Sequence, residues 1–425
     1  MDPDLLAFPR PFSEAKPGNY QFMALLDVNH DYAYALMGPG HLFGPLVRRE
    51  NVHPDTAGVI NLRISRQAPD SPVRDTATRK LVKMNSGLLS RFRGKPVEMR
   101  AGVILPRSYA KSPARRYPTV FVVHGYSSSH LAVWTNHDAN WGTDVETMVT
   151  EMNAGKWPEM IYVYLDARCP LGHCVFADSE NNGPCGRALT EEFIPYLEKK
   201  FRMEAVPKSR LLTGHSSGGW AALWLQVTYP DFFGGAWSTS PDPVDFRNWT
   251  GPDLTKLPAE NFYYKADGSP RWLMRGDDGQ DIIKAKDYAS WERVLGGQGG
   301  QLASFDAVFS PRGADGRPMQ MFDRDTGAID PAVEKAWQKF DISEILTKDW
   351  ERLGPKLKGK LRITVGTKDT VHLEESVYLL RDRLKQLGGE ATFNFVENRT
   401  HFNLYEGGLA KRMAMEMYSV AHSGK

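Results

Sequence analysis

The stretch Leu211-Leu212-Thr213-Gly214-His215-Ser216-Ser217-Gly218-Gly219-Trp220 limits the possible folds more than any other part of the chain. An apolar strand end runs into a Gly-x-Ser-x-Gly turn. An apolar helix then starts at about Trp220 and continues through Ala221, Ala222, Leu223, Trp224 and Leu225. Gly214 and Gly218 carry no Cβ, so strand and helix can approach closely around a serine whose backbone is strained. Ser216 then projects its Oγ from the apex of the turn. A phosphate cradle at a helix N-terminus would want a Lys and a Ser or Thr behind the glycines, and Trp220 follows instead.

A chain of 425 residues can bury a sizeable core and has room for an appended or inserted unit. Lys and Arg number 53 against 51 Asp and Glu, so no global field favours nucleic acid or an anionic membrane. No run of about twenty apolar residues marks a membrane span, and Met1-Asp2-Pro3-Asp4 lacks the basic and apolar regions of an export signal. Either a cytoplasmic protein or one whose signal has been removed is therefore expected. Cys169, Cys174 and Cys185 share one short segment. In an oxidising compartment Cys174 and Cys185 could pair; three free thiols and a zinc site using His173 are the alternatives, the last without a Cys-x-x-Cys pair.

Residues 1–95 carry short apolar runs (20–26, 59–64) among Pro, Gly and Asn, which predicts a β-rich N-terminal unit with long loops. Asp27, Asn29 and Asp31 have the spacing of a calcium loop, but Tyr32 stands where such a loop needs glycine, and no closing glutamate follows. From Val97 the character changes. The spacing predicts strands over 97–105, 119–123, 160–165, 210–213, 235–238, 361–365 and 391–396, with helices over 144–152, 191–201, 220–228 and 373–387. Thr119 to Val123 is a continuous β-branched and aromatic run, as expected for a parallel strand buried on both faces. This alternation predicts an α/β domain over 96–425 with a mostly parallel sheet. A lid-like insertion at about 246–350, between the late strands, is rich in Gly, Pro and Asp near its start and holds a helix near 282–294 and a hairpin-like stretch at 319–329.

A serine hydroxyl is a poor nucleophile unless a histidine takes its proton and a carboxylate orients that histidine. On a sheet of this kind the order is Ser, acid, His, each after a strand. Asp369 follows strand 361–365 and His401 follows 391–396, so Ser216, Asp369 and His401 are the expected trio. Asp242 or Asp245, after the preceding strand, is the alternative acid. His215 cannot fold back as a base from beside the serine, His372 reads as a helix-start residue, and His124 as a buttress for the loop after its strand. Two N–H donors must face the developing oxyanion: that of Ser217 and, in the loop His124-Gly125-Tyr126, that of Tyr126. Gly125 permits the turn. Trp134, Trp141, Phe176 and Trp220 are expected beside Tyr126 as walls for a bulky group.

With these residues in place, 117–129, 214–219, Asp369 and His401 together resemble the putative-esterase family of α/β hydrolases, which includes esterase D, feruloyl esterases and enterochelin esterases. The resemblance covers roughly 97–240 and 355–405. The runs 161–166 and 190–197 look like the family's strand and helix ahead of the nucleophile turn. It implies an α/β-hydrolase fold and a cofactor-free, metal-independent carboxylic ester hydrolase with Ser216, Asp369 and His401 as its trio. The implied substrate is a small-molecule or polysaccharide-linked ester, with neither nucleic acid nor membrane as partner. Many relatives are exported, which implies a secreted or periplasmic enzyme. An acyltransferase, a small-peptide hydrolase and a non-catalytic glycan- or protein-binding module are the alternatives. Ser238 to Pro243 and the large insertion depart from the family pattern, so the substrate does not transfer, and the sequence does not give the oligomeric state.

Overall fold

The computed structural model describes residues 12–26, 40–56, 58–68, 73–135, 145–256, 258–294 and 300–423. Its centre is an eight-stranded sheet. In chain order the strands are β1 (Arg79–Asn85), β2 (Glu98–Ile104), β3 (Thr119–Val123), β4 (Ile161–Leu165), β5 (Arg210–His215), β6 (Gly235–Thr239), β7 (Leu361–Gly366) and β8 (Ala391–Val396). Their order across the sheet is β8-β7-β6-β5-β3-β4-β2-β1. Pairing is parallel from β4 to β8 and antiparallel at β2–β4 and β1–β2.

Both faces are covered, as the unbroken apolar run of β3 requires. Val120 and Val122 point into one core, which they share with Val145, Met148 and Met152 of α1 (Val145–Asn153). Phe121 and Val123, one pleat away, point into the other, beside Trp220 to Leu225 of α2 (Ser217–Thr228). β1 begins the sheet well before Val97, so the boundary expected near residue 95 falls inside the sheet. Its sequence, Arg-Lys-Leu-Val-Lys-Met-Asn, hides it: only Val82 is buried, and lysines guard an edge that would otherwise pair with another chain. The short strands Gly18–Phe22 and Val47–Val52 pair with each other, outside the main sheet.

The insertion between β6 and β7 is not a loosely held flap. Helix α4 (Gln301–Phe309), which packs beside α3 (Ala285–Val294), brings Phe305 and Phe309 onto Trp249, with ring centroids 5.0 and 5.7 Å from that of the indole. Phe309 in turn lies 5.2 Å from Trp220 of α2. The insertion therefore shares one continuous core with the face of the sheet that carries the serine turn. Beyond it, α5 (Leu373–Gln386) and α6 (Leu409–His422) pack on opposite faces. Among the described residues, no helix is long and apolar enough to cross a membrane.

The close approach of α2 to the sheet depends on glycine. A Cβ on Gly218 would lie inside contact distance of the Val123 carbonyl, which is main chain and cannot swing aside. Gly218→Ala is accordingly expected to cost at least ~2 kcal/mol, read as a fall in thermal midpoint of several degrees. An unchanged midpoint would mean that α2 can slide off β3.

Candidate functional site

At the end of β5 the chain turns sharply, and Ser216 takes φ 59° and ψ −125°, a region costly for a residue with a Cβ. Three backbone bonds hold it there. Its N–H donates to the Thr239 carbonyl at 3.0 Å, and its carbonyl accepts from Trp220 N at 3.0 Å and Asp242 N at 3.2 Å. Strand β6 and the loop after it thus clamp the turn.

Strands β7 and β8 end at the same edge. Asp369, in the turn after β7, is fully buried, and its Oδ2 lies 2.9 Å from Nδ1 of His401, in the loop after β8. The other carboxylate oxygen accepts from Val371 N at 3.0 Å. Burial alone would raise this carboxyl. The His401 charge and hydrogen bond, with help from Val371 N and the Ser240 hydroxyl, hold it at about 2 instead. For His401 burial pulls the imidazole down, but Asp369 outweighs it and the net shift is upward. The imidazole therefore faces the cavity with one nitrogen already committed to Asp369.

The alternative acids take other positions. Asp245 is spent on Arg247, whose Nε and Nη2 lie 2.8 and 2.6 Å from its two oxygens. Asp242 approaches the serine rather than His401 Nδ1: Ser216 Oγ donates to its Oδ1 at 3.4 Å. Burial lifts this carboxyl to about 6, against the downward pull of Ser217, His401 and Ser216. Reading by strand order offers Asp242 only as an alternative partner for the imidazole, because sequence spacing does not say which way a loop side chain turns.

Arg275 escapes sequence reading altogether. It comes from a hairpin in the insertion (Trp272–Arg275 with Asp281–Lys284), donates from Nε to the Asp369 carbonyl at 2.9 Å, and pairs with Glu374 of α5. No local motif marks an arginine about a hundred residues from its partners.

The loop after β3 is braced from behind. Ala167 N donates to His124 Nε2 at 3.0 Å, so the ring proton sits on Nδ1 and is donated to the Gly125 carbonyl at 2.8 Å. By the same logic Val175 N fills His173 Nδ1, and His173 Nε2–H donates to the His124 carbonyl at 2.9 Å. With the carbonyls of His124 and Gly125 both held inward, the path of the chain into Tyr126 is fixed. His173 has no ring nitrogen left for zinc, so the zinc reading fails; Cys169, Cys174 and Cys185 are free thiols.

A cavity of about 380 Å³ opens over this edge, bordered by Ser216, His401, Asp242 and Tyr126. Its walls are Trp249, Leu273, Trp291, Leu302 and Phe305 from the insertion, with Phe402 at its rim, 73 % exposed. These are not the aromatics expected from sequence. Trp220 is buried in the core, stacked on Trp224 at 5.1 Å, because the helix starts three residues early and turns it inward. Phe176 is likewise core, and Trp134 packs on the opposite face of the sheet with Nε1 bonded to the Arg74 carbonyl. Trp141 lies outside the described residues, as do Asp27, Asn29 and Asp31. Gly125 supports the cavity loop through its carbonyl without lining the cavity.

Residues 96–299 match the model of the family described as "Putative esterase". A ferulic acid esterase structure superposes with a TM-score of 0.52 at 14 % identity, covering 81 % of this chain and 99 % of the other. An S-formylglutathione hydrolase from Agrobacterium tumefaciens gives a TM-score of 0.47 at 14 % identity, over 82 % and 99 %. A search of curated proteins finds no match. Residues 96–299, just under half of the chain, are thus similar to the putative-esterase family; the fold is that of an α/β hydrolase and the activity class that of a carboxylic ester hydrolase.

Proposed function

We propose that the protein cleaves carboxylic esters of bulky, aromatic-bearing acyl groups through an acyl-enzyme on Ser216. The observation that carries this reading is the pairing of His401 with buried Asp369 at the mouth of a cavity that Ser216 also lines. In this mechanism Asp369 keeps the His401 proton on Nδ1, which leaves Nε2 to accept the proton of Ser216 Oγ as Oγ bonds to the ester carbonyl carbon. The carbonyl oxygen takes up the negative charge, and the N–H groups of Ser217, at the start of α2, and Tyr126 receive it. His401 returns the proton to the leaving alcohol. Water then repeats the sequence on the acyl-enzyme and frees the acid. The aromatic walls supplied by the insertion support a bulky acyl group. The family likeness supports an exported enzyme, secreted or periplasmic.

The test is a series of p-nitrophenyl esters of rising acyl length, with methyl ferulate alongside and fluorophosphonate labelling in parallel. Turnover with one label per chain is expected; a folded protein that takes no label sinks the reading. The same series fixes the pH dependence. His401 acts only when neutral, and its pKa is raised, so the rate should climb with pH through a midpoint above 6.5 and be lost on the acid side. A midpoint below 6.5 would mean that Asp369 does not govern the base.

A further inference from the structure

The Asp242 carboxyl has no task in the mechanism above. It is 3 % exposed, it borders the cavity, and its Oδ1 lies 3.4 Å from Ser216 Oγ. Its Oδ2 is buried and has no hydrogen-bond partner among the described residues. A buried carboxylate oxygen left unpaired is costly, so an oxygen of this kind beside a reacting atom points to a ligand group that satisfies it. The surroundings narrow what that group is. Trp249, Trp291, Tyr288 and Phe305 give the cavity aromatic walls, and aromatic faces combined with one carboxylate favour a cation. Electrostatics points the same way: a negative charge next to Oγ opposes the oxyanion that must form on the neighbouring carbonyl oxygen, whereas a carboxylate neutralised by a substrate cation does not.

Distance then sets where the cation sits. Once Ser216 is acylated, a group on the α-carbon of the acyl chain is only three bonds from Oγ, within reach of an oxygen that already touches Oγ. We propose that Asp242 selects α-aminoacyl esters by pairing with the substrate's α-ammonium, while the aromatic walls take a large apolar side chain. This inference rests on the acyl-enzyme reading of Ser216 and names its substrate class. Burial raises the Asp242 carboxyl to about 6, which leaves it charged at neutral pH. Asp242 is thus a specificity-determining residue. No bond to it forms or breaks, and the α-amino group keeps its protons throughout.

Three methyl esters that differ only at the α-carbon test this: those of phenylalanine, 3-phenyllactic acid and 3-phenylpropanoic acid. At neutral pH the wild-type protein is expected to show a kcat/KM for the amino ester roughly 10- to 100-fold above the other two, the range of a charge-assisted hydrogen bond. In Asp242→Asn that ratio should fall to about one or invert. The readout is the ratio within each protein, so a slow variant still reports. If Asp242→Asn does not fold, inhibition of the wild type replaces it, with 2-amino-3-phenylpropan-1-ol binding at least about 10-fold tighter than 3-phenylpropan-1-ol. Equal rates on the three esters, a hydroxy ester that matches the amino ester, or a ratio indifferent to Asp242→Asn would each overturn the proposal. Fluorophosphonate labelling separates the two layers. A labelled protein that cleaves none of the three esters refutes the α-amino preference alone, whereas a folded protein that takes no label removes the Ser216 reading and this inference with it.

Discussion

Ser216→Ala is expected to lower kcat on the best p-nitrophenyl ester by about 10⁶ and to abolish labelling by a fluorophosphonate. The size of the effect follows from what the side chain does in the proposed chemistry. With no Oγ there is no acyl-enzyme, and the remaining groups can only bind the ester and polarise its carbonyl, which is worth roughly 10³–10⁴ over water. The fold should survive. Ser216 is held through its backbone, by Thr239, Trp220 and Asp242, and among the described residues its hydroxyl makes one long hydrogen bond, to Asp242. A Ser216→Ala protein that kept a tenth of wild-type activity with a normal thermal midpoint would move the nucleophile elsewhere.

Asp369→Asn is the second large effect, about 10⁴ in kcat. The asparagine amide can occupy the same space, but it can also donate to His401 Nδ1, which puts the ring proton on the nitrogen that must accept from Ser216. A second signature separates this from misfolding. Asp369 is what raises the His401 imidazole above its ordinary value, against burial. With the charge gone, burial prevails, so the rising limb of the pH–rate profile should move to lower pH even as the plateau falls. A loss of rate with the limb unmoved would assign Asp369 a purely structural part.

How far the residues could be read before the fold was known depended on how local each signal is. The sheet from β2 onward, the serine turn and the positions of Ser216, Asp369 and His401 after β5, β7 and β8 were legible because strands leave a local mark, an unbroken apolar run in β3 and alternation in β7 and β8. Strand β1 was not, since lysines and one buried valine look like a loop. Helix α6 carries an apolar stripe (Leu409, Ala410, Met413, Met417, Ala421) that the sequence does display, and a longer periodicity window would have found it. The cavity walls were beyond reach. Which aromatic faces a pocket and which faces the core depends on helix phase, and a start at Ser217 rather than Trp220 is enough to turn Trp220 into the interior. Asp242 and Arg275 act through contacts between segments far apart in the chain, for which spacing rules have no terms.

Arg275 reaches out of the insertion to hold both the carbonyl of Asp369 and the carboxylate of Glu374. The segment that walls the cavity is thereby also a strut of the turn that carries Asp369, and its aromatic residues are continuous with the helix behind the serine. In the proposed mechanism, selectivity and turnover are therefore not separable modules. A graft of this segment from a relative would carry its preference across only if it also brought a guanidinium to the same carbonyl, which makes single substitutions on the cavity wall the more tractable route to a changed specificity.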